Sequence, residues 1–143
     1  MNQTRSLAGI AALGAAIAAP AAVAATSHVK LWENKKNSMI CGLEIAANGK
    51  QPNTVLCAAK GIPKPKGTPK TAPGDPFVQI TKSGKPKLVL ISQDSYVTNH
   101  SVFLPDGTTW SSVGVTCKVG ATVTCTNGSA HGFKIGNGKY KPF

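Results

Sequence analysis

The sequence predicts an all-β fold, a small disulfide-stabilised sandwich or barrel built from hairpins. Short segments rich in β-branched residues alternate with turn signals made of Gly, Asn, Asp and Pro. After residue 25, no stretch repeats apolar residues at the i, i+3, i+4 and i+7 spacing of an amphipathic helix over three turns. Four cysteines stand symmetrically about turn signals, which is typical of a cross-linked β domain.

Residues 1–25 have the organisation of a secretory signal peptide. Arg5 supplies the positive charge, an apolar stretch follows, and Ala22-Val23-Ala24 offers the small side chains that signal peptidase requires. The apolar stretch is interrupted by glycine and proline, so it is too short to anchor the chain in a membrane. We therefore expect a secreted protein in which residues 26–143 form a single β domain, with no transmembrane segment in the mature chain.

The four cysteines allow three pairings, and their spacing favours one of them. Cys41 and Cys57 are equidistant from Gly49 in an Asn-Gly turn signal, and Cys117 and Cys125 are equidistant from Ala121. Each pair would then face across its own hairpin, at the distance that a disulfide needs. The sequence predicts the bridges Cys41–Cys57 and Cys117–Cys125, both structural.

Further strand pairs flank the remaining turn signals. The expected pairs are 77–81 with 87–91, 102–104 with 108–110 around Pro105-Asp106-Gly107, and 133–135 with 139–140. Alternation is clearest in 113–126, where Val113, Val115, Cys117 and Val119 would point to one side and Gly114, Thr116 and Lys118 to the other. One face of that hairpin is expected to be buried.

Residues 60–76 are the exception to this pattern. The segment holds five prolines and four lysines and has almost nothing to bury, which predicts an extended, exposed loop.

Fifteen lysines against five acidic residues leave residues 26–143 with a net charge of +10. Such a surface attracts polyanions, and the candidate binding residues are Lys60, Lys64, Lys66 and Lys70. The alternative is that the charge serves solubility.

Arginine is absent after residue 25, and this narrows the possible partners. Arginine dominates base readout, so we expect no sequence-specific nucleic-acid recognition. The remaining partner class is an anionic polymer of the cell envelope or the extracellular space. A second hypothesis is a secreted inhibitor of a foreign hydrolase, in which the proline-stiffened 60–76 loop is the inserted element.

The residues for catalysis are few. The histidines after residue 25 are His28, His100 and His131, and no Gly-x-Ser-x-Gly motif is present. The five acidic residues stand 11 to 31 positions apart, so no element carries two of them. No metal-binding spacing occurs and the thiols are expected in bridges, so we predict no metal, no cofactor and no enzyme activity. Aromatic residues could form a sugar-stacking platform but are expected to pack in the core: Trp32, Tyr96, Trp110 and Tyr140.

The C-terminal part contains a recognisable pattern: Val123-Thr124-Cys125-Thr126-Asn127, then His131-Gly132-Phe133, closing with Tyr140 and Phe143. It resembles the ending of a family of small secreted actinobacterial proteins of uncharacterised function. Asn37-Ser38-Met39-Ile40-Cys41 is similar to that family's opening. The resemblance implies an exported, disulfide-bonded β domain. It does not indicate an activity, because the family has none assigned. It makes His131 a motif member in a turn before the final hairpin, with Phe133 packed inward.

Overall fold

A computed structural model describes residues 26–34, 39–46, 54–92, 96–97 and 102–143. The predicted signal peptide 1–25 and His100 lie outside these ranges. Within them the fold is all-β, as predicted, with twelve strands in two sheets and no helix. No helix in this part of the chain is long and apolar enough to cross a membrane.

The first sheet is an antiparallel meander of five strands, extended by two short parallel strands. Each strand of the meander pairs with the next along the chain, and β6 and β7 both pair with β1. The strands are β1 (Thr26–Asn34), β2 (Met39–Ala46), β3 (Thr54–Ala59), β4 (Asp75–Thr81), β5 (Lys87–Ile91), β6 (Tyr96–Val97) and β7 (Val102–Phe103).

The second sheet is an antiparallel meander of five consecutive strands. Its strands are β8 (Thr109–Ser112), β9 (Val115–Lys118), β10 (Val123–Asn127), β11 (Gly132–Gly136) and β12 (Lys139–Pro142). The two sheets pack face to face as a sandwich, and they do not close into a barrel.

Strand alternation builds the core between the sheets. In β9, Val115 and Cys117 are buried while Thr116 and Lys118 are exposed, so the predicted alternation is confirmed there. The same inward side of the second sheet includes Phe133, which is fully buried as expected. Buried residues from both sheets form one apolar cluster: Trp32, Met39, Cys41, Val55, Cys57, Ala59, Ile62, Val78, Ile80, Val115, Cys117, Val119, Val123, Cys125, Phe133 and Ile135.

Both predicted disulfides are confirmed. Cys41 lies opposite Cys57 in the β2–β3 pair, and Cys117 lies opposite Cys125 in the β9–β10 pair. The Cα atoms are 4.1 Å and 4.0 Å apart, within reach of a bridge between neighbouring strands. The Sγ atoms of Cys57 and Cys125 are 3.9 Å apart across the sandwich, so the two bridges touch at the centre of the core.

Two of the remaining hairpin predictions are confirmed and one is wrong. β4 pairs with β5 and β11 pairs with β12. The expected hairpin of 102–104 with 108–110 does not form, because β7 pairs with β1 while β8 pairs with β9. Backbone bonds explain this: the Leu104 N–H donates to Glu33 O at 3.1 Å, and the Gly107 N–H donates to Val119 O at 2.7 Å. Pro105-Asp106-Gly107 therefore carries the chain from one sheet to the other.

Two local boundaries also differ from the predictions. β4 begins at Asp75, so the Pro/Lys-rich loop ends at residue 74 and not at 76. Val113 lies outside β9, in the turn after β8, with a φ of 46° and its side chain packed against the core. A β-branched residue rarely adopts this φ, and the apolar contact with the core offsets part of the strain.

The tryptophans serve packing. Trp32 is 1% exposed, and the Trp110 ring meets it edge to face at 6.0 Å between centroids. Tyr140 packs against the same cluster, while Tyr96 lies in β6. Burial raises the pKa of the Tyr140 phenol above its usual value of 10.0.

Candidate functional site

The loop between β3 and β4 is folded, and the predicted extended conformation is wrong. The Thr68 N–H donates to Pro65 O at 3.1 Å, and the Ala72 N–H donates to Pro69 O at 3.0 Å. These two bonds close successive turns, each with a proline at its first position. The prolines therefore stiffen a bent loop and do not hold a straight one.

Lys64 holds this loop together. Its Nζ donates to Ala72 O at 2.9 Å and to Lys70 O at 3.4 Å, and the side chain is half-buried. A charged donor thus bonds to two backbone carbonyls near the end of the loop. Lys60, Lys66 and Lys70 are exposed. Of the four predicted binding lysines, three are thus presented to solvent and the fourth positions them.

The base of the loop is apolar. Ile62 is 5% exposed and belongs to the core, and its N–H donates to Ala59 O at 3.4 Å. Beside it lies a hollow of about 480 Å³ with an apolar floor that includes Phe77, and with Lys60 and Lys64 among its lining residues. Asp75 also lines this hollow. The hollow therefore combines an apolar floor with two cationic residues and one anionic residue.

A second basic surface covers the outer side of the second sheet. We call it the lysine face, and it consists of the exposed or half-exposed side chains Thr109, Ser111, Thr116, Lys118, Thr124, Thr126, Lys134, Lys139 and Lys141. The strand register places five of them in one row across the sheet: Thr109, Lys118, Thr124, Lys134 and Lys141. Residues 107–143 contain no Asp or Glu. The face therefore carries cationic and neutral polar side chains and no anionic one.

The sequence predictions did not include the lysine face, although a signal for it was present. Lys118 and Lys134 alternate with buried residues in β9 and β11, so period-two patterning already placed both on an outer face. Their proximity depends on which strands pair and in what register. That information is not local to either segment.

The two basic regions meet at a pair of glycines. A Cβ atom added to Gly61 would lie 3.2 Å from Gly138 Cα, so the start of the loop contacts the β11–β12 turn. Both glycines have a positive φ, 79° and 71°, which few other residues adopt. Lys60 and Lys139 are the neighbours of these glycines in sequence. The β11–β12 turn, at one end of the lysine face, therefore lies against the start of the loop.

Asn127 explains why the C-terminal motif is structural. Its Nδ2 donates to Thr81 O and Gly84 O, both at 2.8 Å, and its Oδ1 accepts from the N–H groups of Ser129 and His131 at 3.0 Å and 3.1 Å. The two donated bonds tie Asn127 to the β4–β5 turn of the other sheet, and the two accepted bonds lie within the β10–β11 turn. Asn127 is 8% exposed, so each bond satisfies a largely buried group.

Two hollows beside the second sheet each contain one kind of side chain that could act in catalysis. His131 lies with Lys85, Pro142 and Phe143 in one hollow, and hydroxyl residues line another beside the β8–β9 turn. Two further hollows lie beside the loop and beside the β11–β12 turn. None of these four hollows combines a histidine, a carboxylate and a hydroxyl. The side chain of His28 and all of His100 lie outside the description.

The four cysteine sulfurs lie within 4.8 Å of one another, close enough to suggest a metal site. All four are consumed in the two bridges, and no free cysteine occurs in the described part of the chain. A disulfide sulfur lacks the thiolate charge that binds zinc. The cluster is therefore a structural element of the core.

Comparison with known proteins gave no match to a family model, to a curated protein or to a solved structure.

Proposed function

We propose that the chain is an exported, non-enzymatic protein that binds an anionic polymer of the cell envelope or the extracellular space through the lysines of the 60–76 segment. The observation that carries the proposal is the Lys64 contact with the carbonyls of Lys70 and Ala72. That contact fixes a bent loop from which Lys60, Lys66 and Lys70 project into solvent. The two disulfides and the signal-like segment 1–25 support export.

A fixed loop matters for affinity because binding then orders less of the chain. Lysine presents a compact point charge that does not demand one geometry of its anion. A polymer with repeated anionic groups, and no particular sequence, is the ligand that such a set of charges suits. Its attraction should weaken as salt screens exposed charges.

The test compares two triple variants with the same loss of charge. Lys60→Gln, Lys66→Gln and Lys70→Gln together alter the loop, whereas Lys82→Gln, Lys85→Gln and Lys87→Gln alter exposed positions in and beside the β4–β5 turn. Fluorescence anisotropy with labelled polygalacturonate, at low and high salt, measures binding. We expect the loop variant to bind about 10- to 100-fold more weakly at low salt and the control to lose much less. Equal losses of affinity in both variants would mean that the loop lysines contribute only to the overall charge and do not form a site.

The fixed conformation of the loop also favours the second candidate, an inhibitor of a secreted hydrolase. Its contact would depend on the shape of the loop and not on its charge. Lys64→Met should then abolish inhibition, while the Lys66→Gln and Lys70→Gln changes should have little effect at any salt concentration. Loss of inhibition with rising salt would count against this candidate.

A further inference from the structure

The row of side chains across the second sheet has a regular spacing. Neighbouring strands lie about 4.8 Å apart, so Thr109, Lys118, Thr124, Lys134 and Lys141 succeed one another at about that interval. Threonine and lysine side chains therefore project from one line, perpendicular to the strands. This line runs over rigid strands whose inner side packs in the core.

The charge on this line is unfavourable for the fold itself. Lys134 and Lys141 lie directly opposite each other on paired strands, where like charges repel. No acidic residue occurs in 107–143 to offset them. The nearest acid in sequence, Asp106, accepts a hydrogen bond from Asn34 of β1 at 2.9 Å. An anion from outside the chain would relieve the repulsion.

A hollow marks the place for one anionic group. Lys134, Lys139 and Lys141 line a depression of about 280 Å³ beside the β11–β12 turn, together with Thr122 and Asn137. Three lysines and two neutral polar residues are thus within reach of one group bound in it. A single carboxylate or phosphate has oxygens enough to accept from several of them.

The chemistry around the row favours a polysaccharide over a nucleic acid. Proteins that bind single-stranded nucleic acids combine a basic groove with aromatic side chains on which successive bases stack. Of the four aromatic residues in 107–143, Trp110, Phe133 and Tyr140 pack in the core. Phe143 has the one exposed ring, close to Gly132 at the end of β11 away from the hollow. Threonine and serine hydroxyls are instead suited to the hydroxyl groups of sugars.

We propose that the lysine face is a second binding site, separate from the loop, which takes a linear acidic polysaccharide lying across the strands. One acidic sugar places its carboxylate in the Lys134, Lys139 and Lys141 hollow. The following sugars extend along the row toward Lys118, with Thr124 hydrogen-bonding to a hydroxyl between the charged positions.

The first test uses the full chain and labelled polygalacturonate of defined length. Lys118→Gln, Lys134→Gln and Lys141→Gln together should weaken binding about 10- to 100-fold, while the charge-matched control at Lys82, Lys85 and Lys87 should weaken it much less. Equal losses in these two variants would overturn the second site. The loop variant is measured in parallel, so that failure of the loop proposal leaves the face result independent of it.

The second test separates a sugar ligand from a bare polyanion. Thr124→Val removes the hydroxyl at the centre of the row and retains the β-branched shape. It should weaken polygalacturonate binding several-fold and leave binding of inorganic polyphosphate unchanged. Unchanged polygalacturonate binding, or an equal loss for both polymers, would overturn the polysaccharide assignment and leave an unspecific anion site.

Folding is monitored separately, because a folding defect could imitate lost binding. Lys141→Gln relieves the repulsion with Lys134, so the variant should melt at the same temperature as the parent or slightly higher. Weaker polymer binding by a protein of equal or greater thermal stability is the signature of a site maintained for a ligand. Unaltered binding by this variant would exclude Lys141 from it.

Discussion

The loop and the lysine face carry the same kind of charge on opposite kinds of structure. In the loop a lysine holds the backbone, because Lys64 bonds to two carbonyls and thereby positions its neighbours. In the face the backbone holds the lysines, because strand register fixes Lys118, Lys134 and Lys141 in one row. The density of lysine along a sequence is therefore a poor guide to which lysines are available to a ligand.

The largest effects are expected from the disulfides, since one bridge supports each region. β3 carries Cys57 and leads into the loop, while β9 and β10 carry Cys117 and Cys125 beneath the face. With separations of 16 and 8 residues, the chain-entropy model gives losses of about 3 kcal/mol for Cys41→Ala/Cys57→Ala and about 2.5 kcal/mol for Cys117→Ala/Cys125→Ala. Denaturant unfolding measures both.

The contact between the bridges makes the combined effect informative. The Sγ atoms of Cys57 and Cys125 are 3.9 Å apart, so the two losses should not add. If the variant lacking all four cysteines loses the simple sum of the two, the bridges act independently and their contact does not couple the two sheets.

Asn127→Ala should cost about 2 to 3 kcal/mol. It deletes a side chain with four hydrogen bonds and leaves the carbonyls of Thr81 and Gly84 without this donor in a partly buried place. Asn127→Asp tests the same contacts more sharply, because a carboxylate keeps the acceptor and loses the donor. Equal stability of Asn127→Asp and the parent would show that the bonds to the β4–β5 turn contribute nothing.

Lys64→Met is expected to destabilise the chain by about 1 kcal/mol, because the charged donor is lost from a half-exposed place where water competes for the carbonyls. Lys66→Met is the matched control and should have no such effect, since Lys66 is exposed. Trypsin should cleave after Lys66 and Lys70 faster in the Lys64 variant than in the parent. Equal cleavage rates in the variant and the parent would show that Lys64 does not fix the conformation of the loop.

Tyr140, on the inner side of the sheet that carries the lysine face, leads to a prediction about stability at high pH. Burial raises the folded-state pKa of Tyr140, so its neutral form is favoured in the folded chain. This contribution to stability is complete below the unfolded value near 10.0 and is lost as the pH rises through the higher folded-state pKa. Tyr140→Phe should reduce the loss of stability above pH 10, as measured by thermal melting. An identical alkaline profile would contradict the assignment.

Features set by local sequence were predictable. The two bridges, the β4–β5 and β11–β12 hairpins and the buried side of β9 follow from turn residues and period-two alternation. The strand pairing of 102–110 was not predictable. Pro105-Asp106-Gly107 indicates a turn, but it does not show whether the strands on its two sides pair with each other. Glu33 and Val119 supply their partners from distant parts of the chain.

The candidate sites divide in the same way. Lys60, Lys66 and Lys70 were recognisable because they crowd one segment, whereas the role of Lys64 depends on how the turns at Pro65 and Pro69 fold back. The lysine face depends on register across five strands. A shift of one residue in a single pair would move its lysine to the core side.

Lysine footprinting tests the central claim most directly. The full chain is acetylated with a limiting reagent, with and without polygalacturonate, and each lysine is quantified by mass spectrometry. We predict protection of the loop lysines Lys60, Lys66 and Lys70 and of the face lysines Lys118, Lys134, Lys139 and Lys141. Lys82, Lys85 and Lys87, which are also exposed, should react at the same rate in both samples. Uniform protection of all these lysines, or protection confined to Lys82, Lys85 and Lys87, would contradict the account.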